Sequence, residues 1–541
     1  MREIITLQLG QQSNYLASHF WNAQESYFTY GADEESPIDH DVHFRPGIGS
    51  DGSETFMPRT VIYDLKGGFG TLRKINALYE IDGDPSSSSL WSGETVVQRQ
   101  QPIEASAYQE SLDAGQTSPE LSTSTVRYWS DFNRVYYHPK SIIQLNEYEL
   151  NSTVMPFEKW HMGEELFASL DKEHDLLDRD LRPFVEEADQ MQGLQVMAGI
   201  DDAWGSFAAK YIERLRDEYG KTPIWVFGAQ EPSRGSPREK RLLKLVNKAR
   251  ALAELNSQAS LVIPLALPET SLPPTVQLDA SSPWHVSALF AAALESVTLY
   301  TRLKTSDRVY SSNLGNMTDL LNVFGKQTIA NLEMSISEPP KPPQNGTNGT
   351  NGNANDLNGR GENVRSLYET AMDVDEEFEA GSQKGAATLD IDLSSPHDLN
   401  LDLGGRRRRR RHIFSQVLAD RGQDPEAADI EGDLEKREQS INGMRRLKVH
   451  NYRSGVAFPI IDSYPKIFRD HYGHPIRDNV SIQTALSTDT TVMDKVKALR
   501  STVVRSIGLE DREMVGNELA EIADSYKEGW SSDSDSDDDD E

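Results

Sequence analysis

The chain has 541 residues, no cysteine and a formal net charge of −31, with 37% hydrophobic residues and a mean hydropathy of −0.59. That length supplies two or three domains with buried cores, while the low apolar content requires part of the chain to lie outside any core. The missing cysteines exclude disulfides and cysteine-ligated zinc or iron–sulfur sites, and the negative charge opposes nucleic-acid partners, whose phosphates would be repelled.

The N-terminus opens directly on a charged pair and a strand, so neither an apolar signal core nor an arginine-rich transit helix is expected. Ile4 to Leu9 reads as that strand; it stops at Gly10 and turns into a helix carrying Leu16, Phe20 and Trp21. This is the opening strand, loop and helix of an α/β nucleotide-binding domain, whose helix N-terminus is a natural anion site. A second strand is expected over Thr60 to Leu65, and Gly67-Gly68-Phe69-Gly70 after it reads first as a turn and second as a ligand loop. Ser86 to Ser124, rich in Ser, Gln and Glu, reads as a long surface loop, and Glu158 to Gln192 as acidic helices. Further strands are expected at Leu194 to Ala198, Pro223 to Phe227 and Leu261 to Leu267. Between the first two of these, Trp204, Phe207, Ala208, Tyr211, Ile212 and Leu215 recur at helical spacing, which predicts an amphipathic helix over Ala203 to Tyr219. Trp284 to Tyr300 is the longest apolar stretch; His285 and Glu295 interrupt it, and it is shorter than the ~20 residues of a membrane span. It reads as a core helix, and no transmembrane segment is expected.

Residues 1–336 therefore read as one layered α/β domain. At Pro339-Pro340-Lys341-Pro342-Pro343 and the Asn-Gly repeats after it the composition changes, and 337–440 is expected to be a disordered linker with an acidic stretch and the six arginines Arg406 to Arg411. The arginine run suits anionic lipid, nucleic acid or an import receptor, or equally neutralisation within the chain. Order is expected to return near Ile441 and to continue to 530 as a helix-rich C-terminal region, with a helix from Asp511 to Tyr526. Residues 531–541 are an acidic tail, either a solubilising end or a docking strip for basic partners.

Several segments resemble tubulins, which begin with an Arg-Glu-Ile strand, a Gly-Gln-Cys-Gly-Asn turn and a helix containing Phe-Trp. Gly10, Gln11, Asn14, Phe20 and Trp21 stand in that pattern, with Gln12 and Ser13 in place of the Cys and Gly; Pro58-Arg59-Thr60-Val61-Ile62-Tyr63-Asp64-Leu65 is similar to a second tubulin segment. A third tubulin segment is a glycine-rich phosphate loop after a central strand. Here the matching stretch, ahead of Arg216-Asp217-Glu218-Tyr219, reads Gly199-Ile200-Asp201-Asp202-Ala203-Trp204-Gly205-Ser206. The whole chain is identified as a fungal member of the Misato family of tubulin-related proteins of mitochondrial distribution and inheritance.

The resemblance implies a tubulin-like fold and a non-enzymatic role in partitioning of the mitochondrial organelle, mitochondrial morphology and mitochondrial DNA inheritance, from the cytoplasm and the outer mitochondrial surface. The alternatives are a GTP-binding, polymer-forming GTPase, or a cofactor of tubulin or chaperonin biogenesis. The implied partners are tubulin, the cytosolic chaperonin or outer-surface mitochondrial proteins.

Two carboxylates and a Trp occupy the loop where phosphates would lie, and each carboxylate would oppose a polyphosphate by on the order of 1 kcal/mol. Asp201 and Asp202 read as a helix cap and a favourable dipole partner, against a magnesium-bridging role. The tubulin catalytic loop, Gly-x-x-Asn-x-Asp, has no counterpart; Gly315-Asn316-Met317-Thr318-Asp319 differs in spacing and reads as a helix start. No catalytic residue and no required cofactor are therefore expected. Gly10, Gln11, Asn14 and Asp64 match tubulin nucleotide-contacting positions, so two readings stand: a residual guanine-nucleotide site, or residues that cap the first helix and end a strand. His471-Tyr472-Gly473-His474 reads as a turn, with no third ligand for a metal, and a Gly-x-Ser-x-Gly elbow is missing.

Overall fold

A computed structural model describes residues 3–29, 35–49, 52, 54–72, 103–232, 235–268, 272–304, 312–337, 388–394, 411–422, 448–506 and 509–527. Its first sheet has six parallel strands: β1 (Glu3–Leu9), β4 (Thr60–Lys66), β5 (Ile142–Glu149), β6 (Met191–Gly199), β7 (Ile224–Ala229) and β8 (Leu261–Leu265). Their order is β5-β4-β1-β6-β7-β8, so the winding reverses between β1 and β6. Thr6 pairs Thr60 on one side and Gln195 on the other. A parallel sheet covered on both faces needs strands apolar on both sides, and every residue of β1 is buried. Ile5, Leu7 and Leu9 enter a core shared with α3 (Trp160–His174), α5 (Ala203–Glu218) and α6 (Arg238–Gln258). Ile4 points the other way, into a core with α1 (Gln11–Glu25) and α7 (Pro283–Thr298). The expected strands are thus present, with β8 two residues shorter than predicted, as are the helices expected after Gly10, from Ala203 and from Trp284.

The apolar α7 starts with Pro283 at a position where no intrahelical N–H is required. It is buried almost all round because it lies between α1 and a second sheet, which draws on β9 (Asn331–Ser337), β10 (Ile391–Asp392), β11 (Ile413–Arg421), β12 (Lys448–Ser454) and β13 (Ser481–Asp489). Their order is β10-β9-β13-β11-β12; β11 and β12 are parallel and the other pairs antiparallel. Two C-terminal helices, α9 (Thr491–Val503) and α10 (Leu509–Ser525), return to the first domain and pack on α6.

This corrects the expected boundaries. β10 and β11 fall inside 337–440, and β11 is an interior strand of the second sheet, so order returns well before Ile441. Arg411, the last of the six arginines, belongs to that sheet's end: it pairs with Glu333 of β9 at 2.6 Å and Asp489 of β13 at 2.9 Å. The remaining arginines, the tail 531–541 and all of the expected acidic stretch from Glu369 to Asp402 except 388–394 lie outside the described residues. The loop expected over Ser86 to Ser124 contains a helix, α2 (Ala107–Asp113), capped by Ser106, whose hydroxyl accepts from Gln109 N at 3.2 Å. An unpredicted hairpin, β2 (Phe44–Ile48) and β3 (Glu54–Pro58), precedes β4. The acidic segment from Glu158 holds α3, a π turn at Leu177–Leu181 and the short α4 (Arg182–Glu186), but ends at Met191, where β6 begins. The short α8 (Leu314–Leu321) lies between α7 and β9.

Core helix and second sheet are tied by a buried ionic group. Glu295 of α7 accepts from Arg302 at 2.6 Å, from Tyr27 Oη at 3.1 Å and from Arg421 of β11. Arg421 also donates to Tyr27 Oη at 2.7 Å and Ala457 O at 2.9 Å. Two cations therefore share one carboxylate, and burial lowers the Arg302 guanidinium to about 10.

Candidate functional site

Ligands of doubly wound sheets bind beyond the strand C-termini where the winding reverses, which here is the crevice between Gly10 and Gly199. Gly10 ends β1 with φ 85 and ψ 173, a conformation restricted to glycine, and its N–H donates to Tyr63 O at 3.0 Å. Gln11 and Asn14 on the first turn of α1 both face Asp64: Gln11 Nε2 donates to Oδ2 at 2.6 Å and Asn14 Nδ2 at 2.7 Å, while Leu65 N donates to Oδ1 at 2.8 Å. Gln11 Nε2 also donates to Gly68 O at 2.7 Å.

The Gly67 to Gly70 segment is the expected turn, and it closes over this group. A Cβ on Gly68 would stand 2.3 Å from Asp64 Oδ1. Asp64 is fully buried. Burial pushes its carboxyl up to about 7, opposed by the hydrogen bonds from Asn14, Leu65 N and Gln11.

The four residues singled out by sequence therefore come together in one place. The capping alternative describes Gly10, which ends β1 and is the N-cap of α1, but not the other three. Gly10 is the N-cap and receives no side-chain cap bond, Asp64 lies inside β4, and both amides spend their donors on its carboxylate.

The opposite wall is α5. Asp202 is its N-cap and accepts from Trp204 N at 2.9 Å, as one half of the expectation for the aspartate pair has it. Burial, then the neighbouring Asp201, raise the Asp202 carboxyl well above the ordinary range. Asp201 directly precedes that cap at the N-terminal end of α5. Its Oδ2 accepts from Glu231 N at 2.9 Å and lies 3.9 Å from Lys244 Nζ; burial raises it to about 6, offset first by Lys244. A cation of the chain itself thus stands beside the carboxylate that the magnesium reading would use.

Trp204 is the feature whose placement sequence did not reveal. Its indole lies directly on Gly10, so that a Cβ added to Gly10 would meet Nε1 at 2.4 Å and Cδ1 at 2.5 Å. Phe157 and Phe207 hold the ring edge-on, with centroids at 5.3 and 5.5 Å, and the residue is 4% exposed. The indole therefore fills the space over the Gly10 turn that a side chain at that position would need.

Gly163 of α3 fixes this arrangement from behind. Its Cα lies so close to α5 that a Cβ would be 2.0 Å from Ala203 O, and Ser206 Oγ donates to Trp160 O at 2.6 Å. A glycine in mid-helix was the available sign of such an approach.

The remaining candidates lie elsewhere. Gly315 to Asp319 belongs to α8, which starts with Asn313 accepting from Asn316 N at 2.8 Å. Leu314 abuts Gly193 at the start of β6, so this segment sits at the opposite end of the sheet from Gly10. His471 to His474 form the expected turn: Asp470 Oδ1 accepts from Tyr472 N at 2.9 Å and His474 N at 2.7 Å, with Gly473 at φ 83.

The same regions of the chain are similar to known proteins. Residues 2–114 match a Misato Segment II tubulin-like domain and residues 118–303 a tubulin domain. Over its full length the chain is 53% identical to Protein dml-1 of Neurospora crassa and 48% identical to Protein DML1 of Gibberella zeae. It is 28% identical to Protein DML1 of Yarrowia lipolytica; each of the three is itself covered end to end.

Proposed function

The chain belongs to the Misato/DML1 family of tubulin-like proteins, and from that premise we propose that it is a non-enzymatic tubulin-fold protein. It serves partitioning of the mitochondrial organelle, mitochondrial morphology and mitochondrial DNA inheritance, acting in the cytoplasm and at the outer mitochondrial surface. The observation that carries the non-enzymatic part is the Trp204 indole seated on Gly10, with Asp201 and Asp202 beside it. A phosphate loop works by bringing bare backbone N–H groups to the ligand, and an indole there excludes that approach. The mitochondrial part rests on the family resemblance. No helix among the described residues is long and apolar enough to cross a membrane. The partner classes in this reading are outer-surface mitochondrial proteins, tubulin and the cytosolic chaperonin.

Purified protein is expected to release phosphate from GTP no faster than a heat-inactivated control. Turnover that disappears in Asn14→Ala or Asp64→Ala would overturn the non-enzymatic reading. Residual guanine-nucleotide binding without turnover is a separate outcome, measured by titration with a fluorescent GTP analogue, and would assign Gln11, Asn14 and Asp64 to it if their variants abolish it. For the cellular part, depletion should alter mitochondrial shape and mitochondrial DNA retention before microtubule content changes. The opposite order would favour the tubulin-biogenesis alternative, and proximity labelling would show whether chaperonin subunits or outer-membrane proteins lie next to the chain.

A further inference from the structure

On the sheet face away from α1 and α7, a groove of about 770 Å³ runs between α5 and α10 with α6 as its floor. It carries Glu164 of α3, Glu213 of α5, Glu254 of α6, and Glu518 and Glu521 of α10, against Lys210, Arg250 and Lys326. Lys210 is already engaged by Glu213 at 3.2 Å and Glu254 at 3.5 Å. Glu164 also acts on Lys210 through its charge, and Glu518 and Glu521 of α10 stand one helical turn apart on the same wall. Burial, then the neighbouring Glu521, raise the Glu518 carboxyl.

One exposed apolar side chain accompanies this charge: Met514 on the α10 wall is 55% exposed, while Ala209, Ala253 and Ile522 of the lining are buried. A flexible thioether on an open groove adapts to varied apolar side chains. From Met514 to Ser525 the wall extends about 17 Å at 1.5 Å per residue, which is about three helical turns.

We propose that this groove docks a short basic amphipathic helix of a partner protein, with Lys or Arg heads on Glu164, Glu518 and Glu521 and an apolar side chain on Met514. The sign of the charge turns away phosphate-bearing ligands, and the length and mixed character suit a helix laid in a groove. The inference is independent of whether nucleotide binds at Gly10.

The test uses the full chain and a fluorescein-labelled 14-residue peptide with Lys and Leu at helical spacing, read by anisotropy. A scrambled peptide of equal charge controls for general attraction to a chain of net charge −31. Binding of the amphipathic peptide should fall at least tenfold in Glu518→Lys/Glu521→Lys and in Met514→Asp, and change less than twofold in Glu173→Lys, a charge change on exposed α3 surface. If the double lysine variant melts early, Glu518→Gln/Glu521→Gln carries the test, with a loss of about fivefold expected. Equal loss in the Glu173 variant, or equal binding of the scrambled peptide, would overturn the proposal. It would also be overturned if the peptide bound only after Arg406 to Arg410 were replaced by Gln, since the chain's own arginines would then be the occupant.

Discussion

Asp64 shows how a single buried carboxyl records its surroundings. At about 7 in the folded chain against an ordinary 3.8, it binds more protons folded than unfolded between those values. Its contribution to stability is therefore full below about pH 4 and is lost as pH rises through 7. Asp64→Asn cannot ionise, so the wild type should lose about 2 kcal/mol relative to that variant between pH 5.5 and 8, as urea unfolding at the two pH values would measure. A difference that does not move with pH would mean that the three N–H donors keep Asp64 ionised throughout. Gly10 is the second residue-scale case. Gly10→Ala forces a glycine-only conformation on alanine and drives its methyl into the Trp204 ring, so a loss of about 3 kcal/mol is expected. Combined with Trp204→Ala the two effects should fall short of additive, because the clash disappears with the indole. Additive losses would show that the ring does not rest on Gly10. Gly10, Gln11, Asn14 and Asp64 were legible as a set through the resemblance to tubulins, whose nucleotide-contacting positions they match on one strand-turn-helix and the next strand. The seat of Trp204 was not legible, since it depends on how α5 lies against the end of β1, and no spacing along the chain encodes that.

At the scale of elements, what was legible had a strong period or a long apolar run. β1, β4, β6, β7, α5 and α7 all meet that description, and each lies within a few residues of its predicted bounds. β11 did not, because its nine residues follow an arginine run and mix Ser, Gln, Asp and Arg with the buried Val417 and Ala419. Only its neighbours β13 and β12 make it an interior strand. α2 was hidden in the same way, in a segment whose Ser, Gln and Glu content reads as loop. Capping of α5 gives a prediction at this scale. Asp202 supplies the cap bond to Trp204 N, yet sits buried beside Asp201, which disfavours its charge. Asp202→Asn keeps an oxygen for the cap and removes the like charge, so it should be at least as stable as the wild type. Asp202→Ala removes the cap and should be less stable than Asp202→Asn by about 1 kcal/mol. Denaturant titration of the pair separates cap from charge, and equal stability of the two variants would show that the cap bond contributes nothing.

For the molecule as a whole, the question is what joins the two sheets when much of the sequence between their strands lies outside the described residues. Glu295 is one link: Glu295→Ala leaves Arg302 and Arg421 buried without their carboxylate, and a loss of about 3–5 kcal/mol is expected, checked by thermal unfolding followed at both near- and far-ultraviolet wavelengths. Strand pairing is the other. β9 precedes the insert and pairs with β13, beyond it, from Asn331 with Ser487 to Ser337 with Ser481; it also pairs with β10, and Ile391 and Leu393 are buried in the shared core. The peptide link across 338–387 should then be dispensable once the protein has folded. Its Pro, Asn and Gly content makes it the expected site of first protease attack, and brief digestion should give two fragments on a denaturing gel. Those fragments should elute as one particle under native conditions and melt within a few degrees of the intact chain, because each half of the second sheet completes the other and α9 and α10 remain packed on α6. Fragments that separate without denaturant would show that covalent connection, not strand pairing, holds the second sheet to the first. Resistance of 338–387 to cleavage would show that the insert is docked on the folded body, and the arginine run adjoining Arg411 would be the first segment to mutate in locating that contact.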